Sequence, residues 1–263
     1  MGRAFAAPVR RQAGPTETKR LPGIYARMMS AFDRFALGAL LLGCVLIGGR
    51  TWLHDHPQHD PWAPLSLSDP QGWATSRKLT ALRTDLPACR AFLARSGIEA
   101  VALKPAGEGA CRRADRAVIA SPRQADVALV PRGVQATCGV DAALAWWLRH
   151  SVQPAAQATL GARVVRIEHL GTNNCRRIGG GADGRWSEHA TGNAIDIAGF
   201  VLSDGRRVSV RRDWKGAGNA AAFLHTVRDG ACRSFGTVLS PDYNAAHADH
   251  LHLDQASRWS SCR

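Results

Sequence analysis

The chain has 263 residues, of which 45% are hydrophobic, a length and composition typical of one large or two small globular domains. Its formal net charge of +13 is unusual and favours anionic surroundings, such as nucleic acid, lipid head groups or an anionic cell wall. Because the sequence contains no recognisable nucleic-acid-binding module, charge alone does not support that class, and we expect no nucleic-acid partner.

The first 53 residues differ in character from the rest of the chain. Residues 1–34 are basic and lack apolar periodicity, so we predict a disordered cytoplasmic tail. The apolar run over residues 35–49, flanked by arginines, is shorter than the roughly 20 residues that span a bilayer. Extension to Leu53 predicts a transmembrane signal anchor over residues 35–53. The basic N-terminal flank predicts a single-pass protein of the bacterial inner membrane whose C-terminal part lies in the periplasm.

Two other interpretations of the apolar run remain open. Its length also suits the apolar region of a cleaved signal peptide, which would release a secreted protein. The long basic segment before it and the lack of a clean A-x-A cleavage site favour the retained anchor. A buried helix of a cytosolic protein is the third interpretation, and the first two both export the rest of the chain.

A linker and a folded domain are predicted after the anchor. Residues 54–75 are rich in proline, aspartate and histidine, and we predict an extended linker there. In residues 76–263, short helices followed by strands and a hairpin predict an α+β domain, an antiparallel sheet with flanking helices. The Asp204-Gly205 turn predicts the hairpin, and Pro154 is expected to end the second helix. We predict helices over 88–97, 140–152 and 219–232, and strands over 98–103, 127–133, 162–170, 194–214, 235–239 and 250–254.

Six cysteines follow the apolar run, which itself contains Cys44. An even number in an exported domain, without a CxxC pair, predicts three disulfides rather than a zinc knuckle. Sequence alone allows fifteen pairings. Pairings that close modest loops are Cys89–Cys111 and Cys232–Cys262, which leave Cys138–Cys175.

The segment HADHLHLD, which begins at His247, carries one half of a candidate site. Alternate side chains of a strand share a face. The pattern therefore places His250, His252 and Asp254 on one polar face and two leucines on the face that can pack into a core. The same alternation predicts that Asp249 faces away from the site.

The segment SEHATGNAIDIAGF, which begins at Ser187, carries the other half. Small residues beside Asp196 leave room around its carboxylate, and His189 lies on a loop that Gly192 permits. Two imidazoles and a carboxylate suit Zn²⁺, and three protein ligands are typical of catalytic zinc sites, where the fourth position holds water. The two segments together predict a metal site.

The motif S-x-H-x-x-G-x-A-x-D in the earlier segment resembles the zinc motif of the D-Ala-D-Ala carboxypeptidase, lysostaphin and hedgehog-like metallopeptidases. From Pro61 to Arg263 the sequence is similar to the extensin-like C-terminal domain family of bacteria. The similar blocks are NNCRR, GRWSEHATGNAIDIAGF, ACRSFGTVL, PDYNAAHADHLHLD and SCR. This resemblance implies a hedgehog- and D-Ala-D-Ala-peptidase-like fold.

The same resemblance implies roles for individual residues. His189, Asp196 and His252 correspond to zinc ligands, and His250 to the general base or water-orienting residue. His247 corresponds to an extra active-site histidine of murein endopeptidases, which would polarise the scissile carbonyl or stabilise the tetrahedral intermediate.

Activity and partners are likewise implied by the resemblance. It implies a membrane-anchored periplasmic zinc metallopeptidase that hydrolyses amide bonds in peptidoglycan peptide cross-links, with Ser187 supporting the ligand loop. Carboxypeptidases of this group place a glutamate base shortly before the last histidine ligand, and HADHLH has none, which favours D,D- or L,D-endopeptidase-like chemistry. The alternatives are a catalytically inactive zinc-containing wall-binding or partner-binding module, and an envelope scaffold that uses only the anchor and the disulfides.

Overall fold

The computed structural model describes residues 30–121, 127–256 and 261–263. Of the tail predicted over residues 1–34, residues 1–29 lie outside the described part. The chain divides into two compact units, one ending at Gly49 and one spanning Arg50–Arg263.

The N-terminal helix, α1, spans Ala31–Asp55 and contains the whole of the predicted anchor. It begins at Ala31 because Ser30 caps it: Ser30 Oγ accepts the main-chain N–H of Asp33, whose carboxylate accepts the N–H of Ser30 in return. By length and composition α1 is able to cross a membrane, with a mean hydropathy of 1.8 and none of its apolar window buried. A retained anchor and a signal sequence both fit this helix.

The second unit is built from six helices and ten strands among the described residues, which confirms the predicted α+β class. The sheet was predicted to be antiparallel, whereas the large sheet is mixed. The helices are α2 Thr75–Ala81, α3 Leu86–Arg95, α4 Cys138–Trp147, α5 Gln153–Leu160, α6 Val210–Asp213 and α7 Asn219–Ala231. The strands are β1 Glu99–Ala102, β2 Ala117–Ser121, β3 Ala128–Val130, β4 Gln135–Ala136, β5 Val164–Gly171, β6 Ala194–Leu202, β7 Arg207–Ser209, β8 Thr237–Leu239, β9 Leu251–Asp254 and β10 Ser261–Cys262.

The large sheet has the strand order β10-β8-β9-β6-β5-β3, and β7 pairs with β6. Its central pairs are antiparallel, while β3 runs parallel to β5 and β10 parallel to β8. The parallel β3–β5 pair follows from the helical crossover α4–α5 between these strands, because parallel neighbours need such a connection. A separate antiparallel sheet has the order β1-β2-β4.

Helices cover one face of the large sheet and leave the other face for the site. The inward side chains of β6 and β9, including Ile195 and Leu253, are fully buried in a core shared with α4, α5 and α7. Trp147 lies at the centre of this core, against Phe200, and its indole N–H donates to the carbonyl of Val227. Because strand side chains alternate, the residues between the buried ones project from the opposite face.

A second, smaller core lies between α3, α4 and the segment before α2. Trp146, next to the Trp147 of the main core, is buried here with Phe92. Leu65 and Leu67, from the segment predicted as an extended linker, are also buried in this core. The middle of that segment therefore packs on the domain.

The helix predicted over residues 140–152 does not end at Pro154. After α4 the chain makes a single π-helical turn, Leu148–Val152, and continues directly as α5. Proline lacks an N–H and is tolerated in the first turn of a helix, where that group has no partner. The π turn lets α5 start anew around Pro154, so the proline marks a junction rather than an end.

Three disulfides are present, as predicted, but two of the predicted pairings are wrong. Cys232–Cys262 forms as expected, whereas the structure pairs Cys89 with Cys138 and Cys111 with Cys175. Packing decides the pairing: α3 and α4 lie side by side, which brings the first pair within 6.1 Å between Cα atoms. Short loop length was the wrong criterion, because the two cysteines of each of these disulfides are far apart in sequence, by 49 and 64 residues.

Candidate metal centre

Strands β6 and β9 bring the two sequence segments together. In the antiparallel pairing of these strands, Asp196 lies directly opposite His252. Directly opposed residues of neighbouring strands have Cβ atoms about 4.5–5.5 Å apart on the same face. The register therefore puts the carboxylate and the imidazole within contact of each other on the face that the helices leave free.

His189 reaches the same place from a short 3-10 helix, Glu188–Thr191. Ser187 caps this turn, because its hydroxyl accepts the main-chain N–H of His189, which confirms its expected support of the loop. Gly192 ends the turn at a φ of +75°, the left-handed region in which glycine is unstrained. This tight turn places the buried His189 next to Asp196, near the start of β6.

The nitrogen and oxygen atoms of these three residues converge. His189 Nε2 lies 3.1 Å from both Asp196 Oδ1 and His252 Nδ1, and His252 Nδ1 lies 2.9 Å from Asp196 Oδ1. Tetrahedral zinc with bonds of about 2.0–2.1 Å separates its ligand atoms by about 3.3 Å, close to these distances. The chemistry and the spacing of the three groups therefore fit a zinc ion, with His189, Asp196 and His252 as the group that can hold a metal.

The three residues polarise each other strongly. Burial raises the pKa of Asp196, but hydrogen bonds with His189 and His252 outweigh it and hold the pKa well below its usual range. Burial lowers the pKa of His252, but hydrogen bonds with Asp196 and Asp254 outweigh it and raise the pKa to about 9. Without a metal, His252 is thus a cation between two carboxylates at neutral pH, and it would have to release its Nδ1 proton to hold a metal through that nitrogen.

Asp254 is a supporting residue to which the sequence analysis gave no role. Its Oδ2 accepts the Nε2 proton of His252 at 3.0 Å, and its Oδ1 accepts the main-chain N–H of Ala256. A carboxylate behind a ligating imidazole selects the tautomer, orients the ring and increases its basicity. The available signal was the spacing, since residues 252 and 254 share one face of β9.

His250 lies beside the metal group with one ring nitrogen directed towards it. Its Nε2 is 3.6 Å from Asp196 Oδ1, and its Nδ1 is 2.8 Å from Asp249 Oδ1. Asp249 was expected to face away from the site. Because β9 begins only at Leu251, strand alternation does not extend back to Asp249, and the preceding turn allows its carboxylate to hold His250.

His247 is drawn into the cluster from the 3-10 turn Ala245–His247. Its ring centroid lies 5.2 Å from that of His250 and 5.9 Å from that of His252, and its Nδ1 bonds to Asn244 Oδ1 at 2.7 Å. Burial, followed by the electrostatic effect of the neighbouring imidazoles of His250 and His252, lowers the pKa of His247 to about 4. It is therefore neutral at physiological pH.

The other histidines of the domain serve the fold. His150, His169 and His225 each bond through Nε2 to a main-chain carbonyl, of Leu67, Pro131 and Trp214 respectively. None of them belongs to the metal group found among the described residues.

An open cleft of about 870 Å³ borders the metal group. Asp196, His247, His250 and His252 line it, together with more exposed residues. The exposed residues include Arg176, Ile178, Arg185, Trp186 and Tyr243. A chain of several peptide units has room in such a cleft.

The proton on His252 predicts the pH dependence of zinc binding. A ligating nitrogen must lose its proton, so affinity is expected to rise about tenfold per pH unit while His252 is protonated. Because the pKa of His252 is raised to about 9, the rise should continue to that pH. Competition with a chelator across the pH range measures the zinc affinity. An affinity that stops rising near pH 6.5, the ordinary pKa of histidine, would contradict the hydrogen bonding of His252 between Asp196 and Asp254.

Replacing Asp254 with asparagine is expected to weaken zinc binding by about 10–100-fold, the usual effect of losing a group that supports a ligand. The zinc affinities of the variant and of wild type should be compared above pH 9, where His252 has lost its competing proton in both proteins. Asp229→Asn is the matched control, because that carboxylate is exposed and forms an ion pair with Arg228, away from the metal group. If Asp254→Asn and wild type bind zinc equally well, Asp254 does not support His252 as a ligand.

The fold and the site define an α+β domain in which a His-Asp-His group able to hold a metal lies on the open face of the sheet, beside a cleft. Residues 87–263 match the family described as Extensin-like protein C-terminus, and the chain belongs to this family. The match confirms the extensin-like resemblance and begins after Pro61, where that resemblance was expected to start. Neither the curated proteins nor the solved structures contained a match to the chain.

Proposed function

We propose that the protein is a zinc metallopeptidase that hydrolyses amide bonds in peptidoglycan peptide cross-links. The observation that carries the proposal is the group of three converging ligand atoms, two of which, on Asp196 and His252, belong to residues that line an open cleft. Three protein ligands with access from solvent are typical of catalytic zinc, whereas structural zinc is usually enclosed by four. When bound, zinc supplies a Lewis acid and lowers the pKa of water.

His250 is the proposed general base. With Nδ1–H donating to Asp249, its Nε2 keeps a lone pair directed towards the metal group and can accept a proton there. The same nitrogen then delivers the proton to the leaving amine. Asp249 holds the ring in this tautomer, as a carboxylate behind a catalytic histidine does.

His247 is proposed as a second acceptor near the reacting amide. Its Nδ1–H donates to Asn244 Oδ1, and the ring is neutral at physiological pH, so Nε2 has a lone pair and no proton. This favours orientation of water or of a substrate N–H over the carbonyl-polarising role that the resemblance implied, since that role needs a donor.

Location and charge support a wall substrate. Three disulfides and the apolar helix α1 are consistent with an extracytoplasmic location, which we propose to be the periplasmic side of the inner membrane. The residues after the predicted cytoplasmic tail carry 27 basic and 19 acidic side chains, a net charge of +8 that attracts the exported part to an anionic wall. The resemblance to the D-Ala-D-Ala carboxypeptidase, lysostaphin and hedgehog-like metallopeptidases supports the same chemistry, as an analogy.

The test compares three full-length proteins, each purified oxidised in detergent and loaded with zinc: wild type, His250→Ala and His54→Ala. His54 is an exposed histidine before the domain and provides the matched control. Each protein is incubated with cross-linked muropeptides, and the products are weighed by mass spectrometry.

Conversion of dimers to defined monomers is expected from wild type and His54→Ala. It should be lost in His250→Ala, which should still bind one zinc ion because its ring is not in the ligand group. If wild type binds zinc while every muropeptide survives, the peptidase proposal fails. The zinc-containing module that binds the wall without turnover then becomes the better account.

A further inference from the structure

A short hairpin, residues 176–187, forms one wall of the cleft. Its two arms are joined by the bridge between Arg177 and Trp186 and by main-chain hydrogen bonds on either side of that bridge. The second arm runs directly into the 3-10 helix that carries His189. Trp186 lies three positions before His189, so their Cα atoms are at most about 11 Å apart.

Trp186 presents a partly exposed indole at the edge of the cleft. Its side chain is 39% exposed although it lines the cleft beside the metal group. The guanidinium of Arg177 stacks over the indole, 4.4 Å from the ring centroid, and also donates to the carbonyl of Gly184. Arg177 does not line the cleft, so it supports the ring from outside the cleft.

This arrangement holds the indole in place before any ligand arrives. The stacked cation and the backbone bridge restrict the rotation of the ring, so little side-chain entropy is left to lose on binding. Among the described residues, no other ring or cation stacks on the indole. A flat apolar surface is thus left for a ligand in a cleft whose lining also includes arginine, histidine and aspartate side chains.

We infer that Trp186 is a stacking platform for a sugar ring, so that the substrate is a peptide still attached to its glycan strand. The inference rests on the proposed function and names the form of the substrate. Peptidoglycan peptides consist mainly of alanine, acidic and diamino residues, which offer no ring to stack, whereas an amino sugar presents a flat face of C–H groups. A stem peptide of four residues spans at most about 14 Å. The sugar can therefore lie on Trp186 while the distant amide lies at the metal group.

The test uses the full-length zinc-loaded protein and two matched substrates: cross-linked peptides that carry their disaccharides, and the same peptides with the disaccharides removed. For wild type, kcat/KM is expected to be roughly three- to tenfold higher with the sugars, the contribution of about one aromatic stack. In Trp186→Ala the ratio of the two values should fall to unity, and Trp186→Tyr should restore part of it. Trp62→Ala is the control, because Trp62 is 79% exposed and lies outside the cleft.

Equal kcat/KM of wild type on the two substrates would overturn the inference and leave the peptidase proposal intact. A fall of Trp186→Ala on both substrates by the same factor would also overturn it, because the ring would then contact the peptide. If wild type cleaves neither substrate, the proposed function fails by itself. Binding of the peptide-free disaccharide, measured by calorimetry with wild type and Trp186→Ala, then decides: loss of binding in the variant supports the platform, and no binding to wild type overturns it.

Discussion

Replacing His189 with alanine is expected to abolish stoichiometric zinc binding and, with it, any turnover of muropeptides. The variant removes one of three converging ligand atoms, and the remaining pair, Asp196 and His252, already hydrogen-bond to each other. Loss of a group that merely supports a ligand costs about 10–100-fold in affinity, so loss of the ligand itself should cost more than about 100-fold. Metal content after dialysis and chelator competition measure the effect directly.

The control for this variant is His169→Ala. His169 is also a buried histidine, but its ring bonds to the carbonyl of Pro131 instead of the cluster. Zinc content should therefore remain at one ion per chain in this control. Wild-type zinc affinity in His189→Ala would mean that the cluster is held together by hydrogen bonds alone and does not bind a metal.

Replacing both Cys89 and Cys138 with serine is expected to lower the free energy of unfolding by about 2–5 kcal/mol, the usual cost of losing a native disulfide. This bridge joins α3 to α4 inside the smaller core, where both cysteines are buried. Trp146 belongs to the same core, so its fluorescence reports on the loss. Urea titration of the oxidised full-length protein in detergent gives the free energy.

Cys44→Ser is the control, since Cys44 is exposed on α1 and forms no disulfide. Its unfolding curve should match that of wild type. Disulfide mapping by mass spectrometry provides an independent check of the pairing. A Cys89–Cys111 peptide, or an unchanged midpoint in the double serine variant, would contradict the arrangement of α3 and α4.

The candidate ligands were predictable because each depends on local order in the chain. Alternation along β9 placed His252 on the polar side, and the small residues around Asp196 indicated an open position on β6. The turn at Gly192 indicated that His189 lies on a loop close to the strand. That the three residues meet at one place could not be derived from local order, because it depends on the register of β6 against β9, which brings Asp196 opposite His252.

Residues whose roles depend on turns were less predictable. Asp249 was expected to face away from the site because the alternation of strand β9 was assumed to include residues before Leu251. In the structure these residues form a turn, and the Asp249 carboxylate holds His250. A role for Trp186 was not predicted, because the residues next to it in sequence do not indicate that the guanidinium of Arg177 stacks on its ring. In both cases the direction of a side chain is decided by a loop, for which the sequence has no periodic signal.

By itself, the sequence determined the α+β class, the apolar helix, the number of disulfides and the two segments of the candidate centre. These features follow from hydrophobic periodicity, composition and the spacing of residue types, all of which are properties of short stretches of chain. Only the tertiary structure decided the cysteine pairing, the mixed sheet, the support of His252 by Asp254 and the shape of the cleft. Each of these joins residues that are distant in sequence or that lie on loops, and their contacts are set by how the helices and strands pack rather than by any local preference.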